Sequence, residues 1–294
     1  MVFVDDIMAG GGTDTVEEAG KNLKEMERKK GYTFNVGEGK TQYLTIRNGK
    51  KPEEEPEIEL TNGKVMKTEE YKFLGNWIDS KGTVERQLDE VERRTIGMTR
   101  ELTRLTNDSE LGRCATDAKL IMYEKTVVPS LTFNLEMWTK LRQGDWDRLE
   151  KIQAKALKSI FCLPNSTPYW GILGETGIWP LKSVVIYHRL MYMHNIMNSE
   201  DSRLAKRIVM GQQEIEGENW TRETERIGKE YNIDMDKVTE KKKSEWKREI
   251  KDEIEKEIEG MWIQKAKSMK KMRHVKEGKF GKRKYMMEST TLHN

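Results

Sequence analysis

The chain has 294 residues, with 53 Lys and Arg against 50 Asp and Glu, for a net charge of +3. Charged residues make up 35% and hydrophobic residues another 35%, where a typical soluble domain has about 25% charged, so a core can form but a tail or a surface-lying helix is expected. No run approaches the ~18 apolar residues of a membrane span, the opening Met-Val-Phe-Val-Asp-Asp lacks the basic start of a secretory signal, and two cysteines, Cys114 and Cys162, make neither a disulfide framework nor a cysteine zinc site.

Along the chain, residues 1–4 are an apolar, β-favouring run that meets Asp5 and Asp6, continues through Ile7-Met8-Ala9 and breaks at Gly10-Gly11-Gly12. This reads as a hairpin. Thr15-x-x-Glu18 predicts a capping box, with a helix over 14–30 that stops at Gly31. Strands are expected over 32–36 and 42–46 with a Gly37-Glu38-Gly39 turn between them. Further strands are expected over 57–60, 64–66 and 71–79, with Asn62-Gly63 as a type I′ turn. After Gly82 the pattern turns helical: 85–105, 109–125 with an interruption at Pro129, 146–161 and 181–197. Residues 198–219 look like a polar linker. The span 241–271 reads as a charged helix whose Trp246, Ile250, Ile254 and Ile258 recur every four residues, a weak coiled-coil pattern.

The chemistry-bearing feature is the acidic doublet. Apolar flanks place two adjacent carboxylates, Asp5 and Asp6, together at the tip of a hairpin. Adjacent anions repel, so a divalent cation favours the ionised pair. Mg²⁺ suits it, because it takes carboxylate oxygens and keeps waters for a phosphate substrate. Competing chemistries lack their motifs. His188 and His194 are six apart, off the shared helix face of an H-E-x-x-H site. There is no Gly-x-Ser-x-Gly elbow, and no Gly-Lys-Ser/Thr closes the glycine run into a phosphate loop.

Phe3-Val4-Asp5-Asp6 resembles the aromatic-x-Asp-Asp box of reverse transcriptases. Four further pieces follow in the same order as in that family. Lys40-Thr41-Gln42-Tyr43-Leu44 resembles the strand after the catalytic hairpin and its helix. Tyr71-Lys72-Phe73-Leu74-Gly75, with Asp79-Ser80-Lys81-Gly82, is similar to the segment that holds the primer-grip strand. Tyr123 to Pro129, with Glu136-Met137-Trp138, resembles a "Y-x-x-x-x-x-P…E-x-W" stretch. Leu163-Pro164-x-Ser166-Thr167-Pro168, with Leu173-Gly174-Glu175-Thr176-Gly177-Ile178-x-Pro180-Leu181, resembles "L-P-x-S-T-P…L-x-E-L-G-x-x-P-L". Together they resemble the reverse transcriptases of non-LTR (LINE-like) retrotransposons over residues 2–197.

The resemblance implies an α+β fold. A partial polymerase palm of short antiparallel strands plus a helix (1–82) would be followed by a mostly α-helical thumb (83–197). A polar linker (198–240) and a charged helix with a basic tail (241–294) would complete the chain. It implies RNA-directed DNA polymerisation by two-metal nucleotidyl transfer, with an RNA template and a DNA primer as partners and Mg²⁺ as the cofactor. Asp5 and Asp6 would be the catalytic, metal-holding residues, with Phe3 packed behind their turn. Phe73, Leu74 and Gly75 would hold the primer terminus. Lys40 would offer charge near the incoming triphosphate. The third carboxylate and the fingers of the family have no counterpart in this sequence, so the chain is expected not to polymerise by itself and to bind metal weakly. Residues 1–80 are expected to be less stable than the helical part.

The alternative is a non-catalytic nucleic-acid-binding or helical interaction protein. Residues 260–294 hold ten basic and two acidic residues, a net +8, which leaves the rest of the chain at −5. Such a tail neutralises phosphates. Trp220, Trp246 and Trp262 would stack on bases or pack a helix face. The expected setting is intracellular, in nucleus or cytoplasm.

Overall fold

The computed structural model describes residues 2–3, 6–46, 55–107, 116–139, 141–269, 272 and 280–281, with the backbone alone at 2, 3 and 6. The fold is mixed α+β and predominantly helical. It divides into two compact units, Met1–Gln87 and Leu88–Asn294.

The first unit holds all the described strands, in four two-stranded sheets. β1 (Val2–Phe3) pairs antiparallel with β2 (Asp6–Ile7). α1 (Thr13–Lys30) follows and ends at Gly31, whose φ of 71° is the left-handed cap that glycine adopts without strain. Its N-cap is Gly12, with no side-chain cap. The expected Thr15–Glu18 capping box therefore lies inside the helix. Residues 32–35 form no strand, and Val36 makes a single bridge to Thr41. β3 (Gln42–Leu44) pairs with β6 (Met66–Thr68) in parallel, where antiparallel pairing was expected.

β4 (Glu59–Leu60) and β5 (Gly63–Lys64) form a hairpin with Thr61 and Asn62 in the loop, one residue earlier than the Asn-Gly signal predicts. The cause is Glu27. Its carboxylate accepts from the Phe34 amide at 2.6 Å and from the Thr61 amide and hydroxyl at 2.9 and 2.7 Å. Three bonds from one buried acid outweigh a local turn preference. Ile58, Leu60 and Val65 form the small core against Val16, Leu23 and Phe34. Gly20 lets α1 approach it, since a Cβ there would lie 2.6 Å from Ile58 Cγ2. β7 (Glu70–Phe73) and β8 (Asn76–Asp79) make the fourth pair, where a single strand over 71–79 was expected.

The second unit contains the body of α2 (Glu85–Asn107), which straddles the division between units, and every later helix. α3 (Thr116–Met122), a π-turn at Tyr123–Val127 and α4 (Val128–Thr132) run without a break. Pro129 lacks an N–H to close an ordinary turn. The chain widens to the Val128 N–H→Tyr123 C=O bond just before it, instead of interrupting the helix. α5 (Gln143–Ile160), α6 (Tyr169–Thr176) and α7 (Leu181–Met197) follow. The apolar stripe of α7 is ragged because the helix is surrounded. It packs against α5 and the 3₁₀ turn Leu135–Met137, and a helix buried all round needs no polar face.

Residues 198–240 are no linker. They form α8 (Leu204–Glu214), α9 (Trp220–Glu230) and the 3₁₀ turn Met235–Val238. Val209, Trp220, Ile227, Tyr231, Ile233 and Val238 join the same core as α7. Arg189 of α7 fastens this region. Its buried guanidinium donates to Thr224 Oγ1 at 2.7 Å and to the carbonyls of Trp138, Trp220 and Thr139 at 2.6, 2.9 and 3.4 Å. Burial pulls it down to about 10.

α10 (Lys243–Ser268) is no free coiled-coil strand either. A four-residue spacing turns about 40° per step around a helix, and here the drift follows a change of neighbour. Trp246 Nε1 donates to the Leu190 carbonyl of α7 at 3.2 Å, and four turns on Trp262 Nε1 donates to the Trp170 carbonyl of α6 at 3.1 Å.

Candidate functional site

The sequence places its candidate residues in the first unit, and the structure describes part of them. Asp5 lies outside the described residues, as do the side chains of Asp6 and Phe3. The backbone pairs Phe3 with Asp6 across β1 and β2, in a sheet that no other described strand joins. A continuous palm sheet beneath the doublet is therefore not formed by the described residues. Two carboxylates are oxygen donors of the kind Mg²⁺ takes, so the pair fits that ion in chemistry. Among the described residues no group of three or more His, Cys, Asp or Glu side chains could hold a metal.

Lys40 is tied by its main chain to β7, the strand that leads into the Phe73–Leu74–Gly75 segment. The Tyr71 hydroxyl, on β7, donates to the Lys40 carbonyl at 2.9 Å, while the Lys40 side chain is exposed. β7 and β8 are joined through Leu74 and Gly75 alone, because Phe73 pairs directly with Asn76. A two-residue turn that matches strand twist needs φ > 0 at both positions, and Leu74 and Gly75 have φ of 47° and 83°. Glycine adopts this freely. A leucine does so at a cost of about 1–2 kcal/mol, and Leu74 is 39% exposed. The position therefore holds a strained apolar side chain at the tip of the hairpin, where Asn is the locally favoured residue.

The turn has a second consequence that reading 71–79 as one strand missed. It sets Lys72 directly opposite Trp77. The Trp77 ring lies under two cations, with Arg86 Cζ 4.3 Å and Lys72 Nζ 5.7 Å from its centroid. Such contacts are worth about 0.5–2 kcal/mol. The Trp77 amide donates to Gln87 Oε1 at 3.0 Å. Three polar atoms here have no hydrogen-bond partner among the described residues: Asn76 Oδ1, Trp77 Nε1 and Gln87 Nε2. Buried polar groups are nearly always paired, and these three are among several such atoms in the described residues, with others on Thr95, Thr99 and Ser183. Leu-Gly between two β-favouring runs was the available sequence signal for this pairing.

Asp79, in the Asp79-Ser80-Lys81-Gly82 motif, accepts from the Lys81 and Thr83 amides at 3.0 and 2.8 Å and shapes the turn into α2. The three tryptophans considered as stacking platforms are corrected: Trp220, Trp246 and Trp262 are 8, 0 and 1% exposed and pack helices. Of the basic tail, Lys265 and Lys267 end α10, and most of the remainder lies outside the described residues. No helix among the described residues is long and apolar enough to cross a membrane. No protein-family model matches the chain, and neither a curated protein nor a solved structure does.

Proposed function

We propose that the chain carries the acidic hairpin, the primer-contacting hairpin and the thumb of an RNA-directed DNA polymerase of the non-LTR retrotransposon kind. Leu74 carries this reading. A strained leucine, 39% exposed, sits inside the segment that resembles the primer grip, and backbone strain of this kind clusters at functional sites. Exposed apolar surface at a tight turn suits the sugar edge of a primer terminus. The Lys72–Trp77–Arg86 group beside it supplies positive charge and a ring face, the two elements that nucleic acid takes. In this reading Asp5 and Asp6 hold Mg²⁺, which when bound neutralises charge at a transferring phosphoryl group. Lys40 contributes positive charge on the same small unit.

A second reading rests on the charge of residues 260–294. A net +8 over 35 positions gives a sequence-independent nucleic-acid tether with no role for the acidic doublet.

The two separate in one experiment. Binding of the full chain to a fluorescent RNA-template/DNA-primer duplex is measured with and without Mg²⁺ and across a salt series. The polymerase reading expects Mg²⁺ to tighten binding, Asp5→Ala to abolish that gain, and a Leu74→Asn change to weaken binding. Binding that ignores Mg²⁺, Asp5→Ala and Leu74→Asn but falls steeply with salt assigns the tether instead. Absence of binding removes both.

A further inference from the structure

α8 shows an apolar stripe that stays exposed among the described residues. The inner face of the helix is fixed: Val209 is buried in the core, and Gln212 Oε1 accepts from the Thr221 hydroxyl at 2.8 Å. On the outer face Leu204, Ile208 and Ile215 are 51, 48 and 61% exposed. At about 100° per residue, positions 204, 208, 211 and 215 fall within roughly 60° of one another. In the middle of the stripe is Gly211, where a Cβ would meet nothing within 4 Å. Packing among the described residues gives no reason for this glycine, although glycine weakens a helix interior.

The charges along one flank of this stripe are arranged against the helix. Arg203 and Arg207 lie at the N-terminal end, and Glu214 at the C-terminal end. This is the reverse of what the helix dipole favours. None of the three side chains makes an ion pair among the described residues. Each sign would be satisfied by an antiparallel copy of the same helix.

We propose that the chain self-associates through α8, with the helices of two copies antiparallel about a two-fold axis at their midpoint. With the axis between residues 209 and 210, Leu204 meets Ile215 of the second copy. Ile208 enters the space over its Gly211. Glu214 of the second copy falls between Arg203 and Arg207. A two-fold interface must be self-complementary, each contact occurring twice, and this pattern is. Opposed dipoles and paired charges remove the misfit that α8 carries alone. An 11-residue helix is about 16 Å long, less than a standard interface of about 800 Å² per partner requires. The association is accordingly weak, with half-dimerisation at about 10–100 μM.

Sedimentation velocity on the full chain, from about 1 to 300 μM, tests it. The weight-average mass should rise from 34.5 kDa towards twice that value. Ile208→Asp, at an exposed position, should stay monomeric at the highest concentration with unchanged circular dichroism and melting temperature. Arg203→Glu with Arg207→Glu should weaken association about tenfold, and adding Glu214→Arg should restore it. A wild-type chain that stays monomeric throughout, an Ile208→Asp chain that dimerises as well as wild type, or a charge reversal that Glu214→Arg fails to rescue would each overturn the proposal.

Discussion

Glu27 and Thr61, thirty-four residues apart, are joined by two hydrogen bonds to a single carboxylate oxygen, from the Thr61 amide at 2.9 Å and its hydroxyl at 2.7 Å. Burial pushes the Glu27 carboxyl up, but the bonds from Phe34 and Thr61 hold it below its ordinary value of 4.5. A carboxyl whose folded-state value is lowered contributes stability that is fully present above the unfolded value. That contribution is lost as pH falls through the folded value. The first unit should therefore loosen below about pH 4.5. Glu27→Gln should cost about 1–3 kcal/mol at neutral pH and flatten the acid dependence. Amide exchange of residues 55–65 as a function of pH measures both.

Gly174 and Trp262 give a prediction of opposite character. A Cβ on Gly174 would overlap the indole ring whose Nε1 donates to the Trp170 carbonyl. Gly174→Ala improves helix propensity in α6, yet it forces the ring out of its slot. Overpacking and the lost hydrogen bond together should cost about 2–4 kcal/mol. Denaturant unfolding gives the energy. A red-shifted tryptophan emission in the folded state would show the displaced indole.

The buried amide of Gln153 uses all its capacity. Nε2 donates to the Tyr123 hydroxyl at 3.0 Å and the Trp179 carbonyl at 3.1 Å, while Oε1 accepts from the Leu181 amide at 3.0 Å and from the Tyr169 hydroxyl. Gln153→Leu leaves four groups without this partner and should cost about 3–5 kcal/mol. Tyr123→Phe removes one bond and should cost about 1–2 kcal/mol. Thermal unfolding of both variants tests the order. Equal losses would show that Gln153 does not organise the cluster.

Leu74→Asn should raise the stability of the first unit by about 1 kcal/mol, because Asn tolerates the left-handed region. The same change should weaken primer–template binding if the proposed function holds. A variant that gains stability without losing affinity would separate the strain from the function.

Several of these features were legible in the sequence, and the differences have physical causes. The end of α1 at Gly31 and the bounds of α7 at 181–197 follow from a left-handed cap and from Pro180. The Glu27 bonds, the Lys72–Trp77 pairing and the closure of Gly174 on Trp262 are long-range contacts that no local pattern encodes. α8 and α9 were hidden by their charge, although Trp220, Thr224, Ile227 and Tyr231 do fall on one helical stripe and Asn219 caps it by accepting from the Arg222 amide at 3.0 Å. The acidic doublet rests on resemblance alone, since Asp5 and the Asp6 side chain lie outside the described residues.

The seating of α10 on both α7 and α6 carries a consequence for biosynthesis. During translation, Ile186, Leu190 and Met193 emerge long before the isoleucines and tryptophans that cover them. Nascent chains must wait for the ribosome to pass residue 268 before their greasy surface can close. A message cut short ahead of Lys243 would leave that surface open, a ready substrate for chaperones and for degradation rather than a smaller working protein.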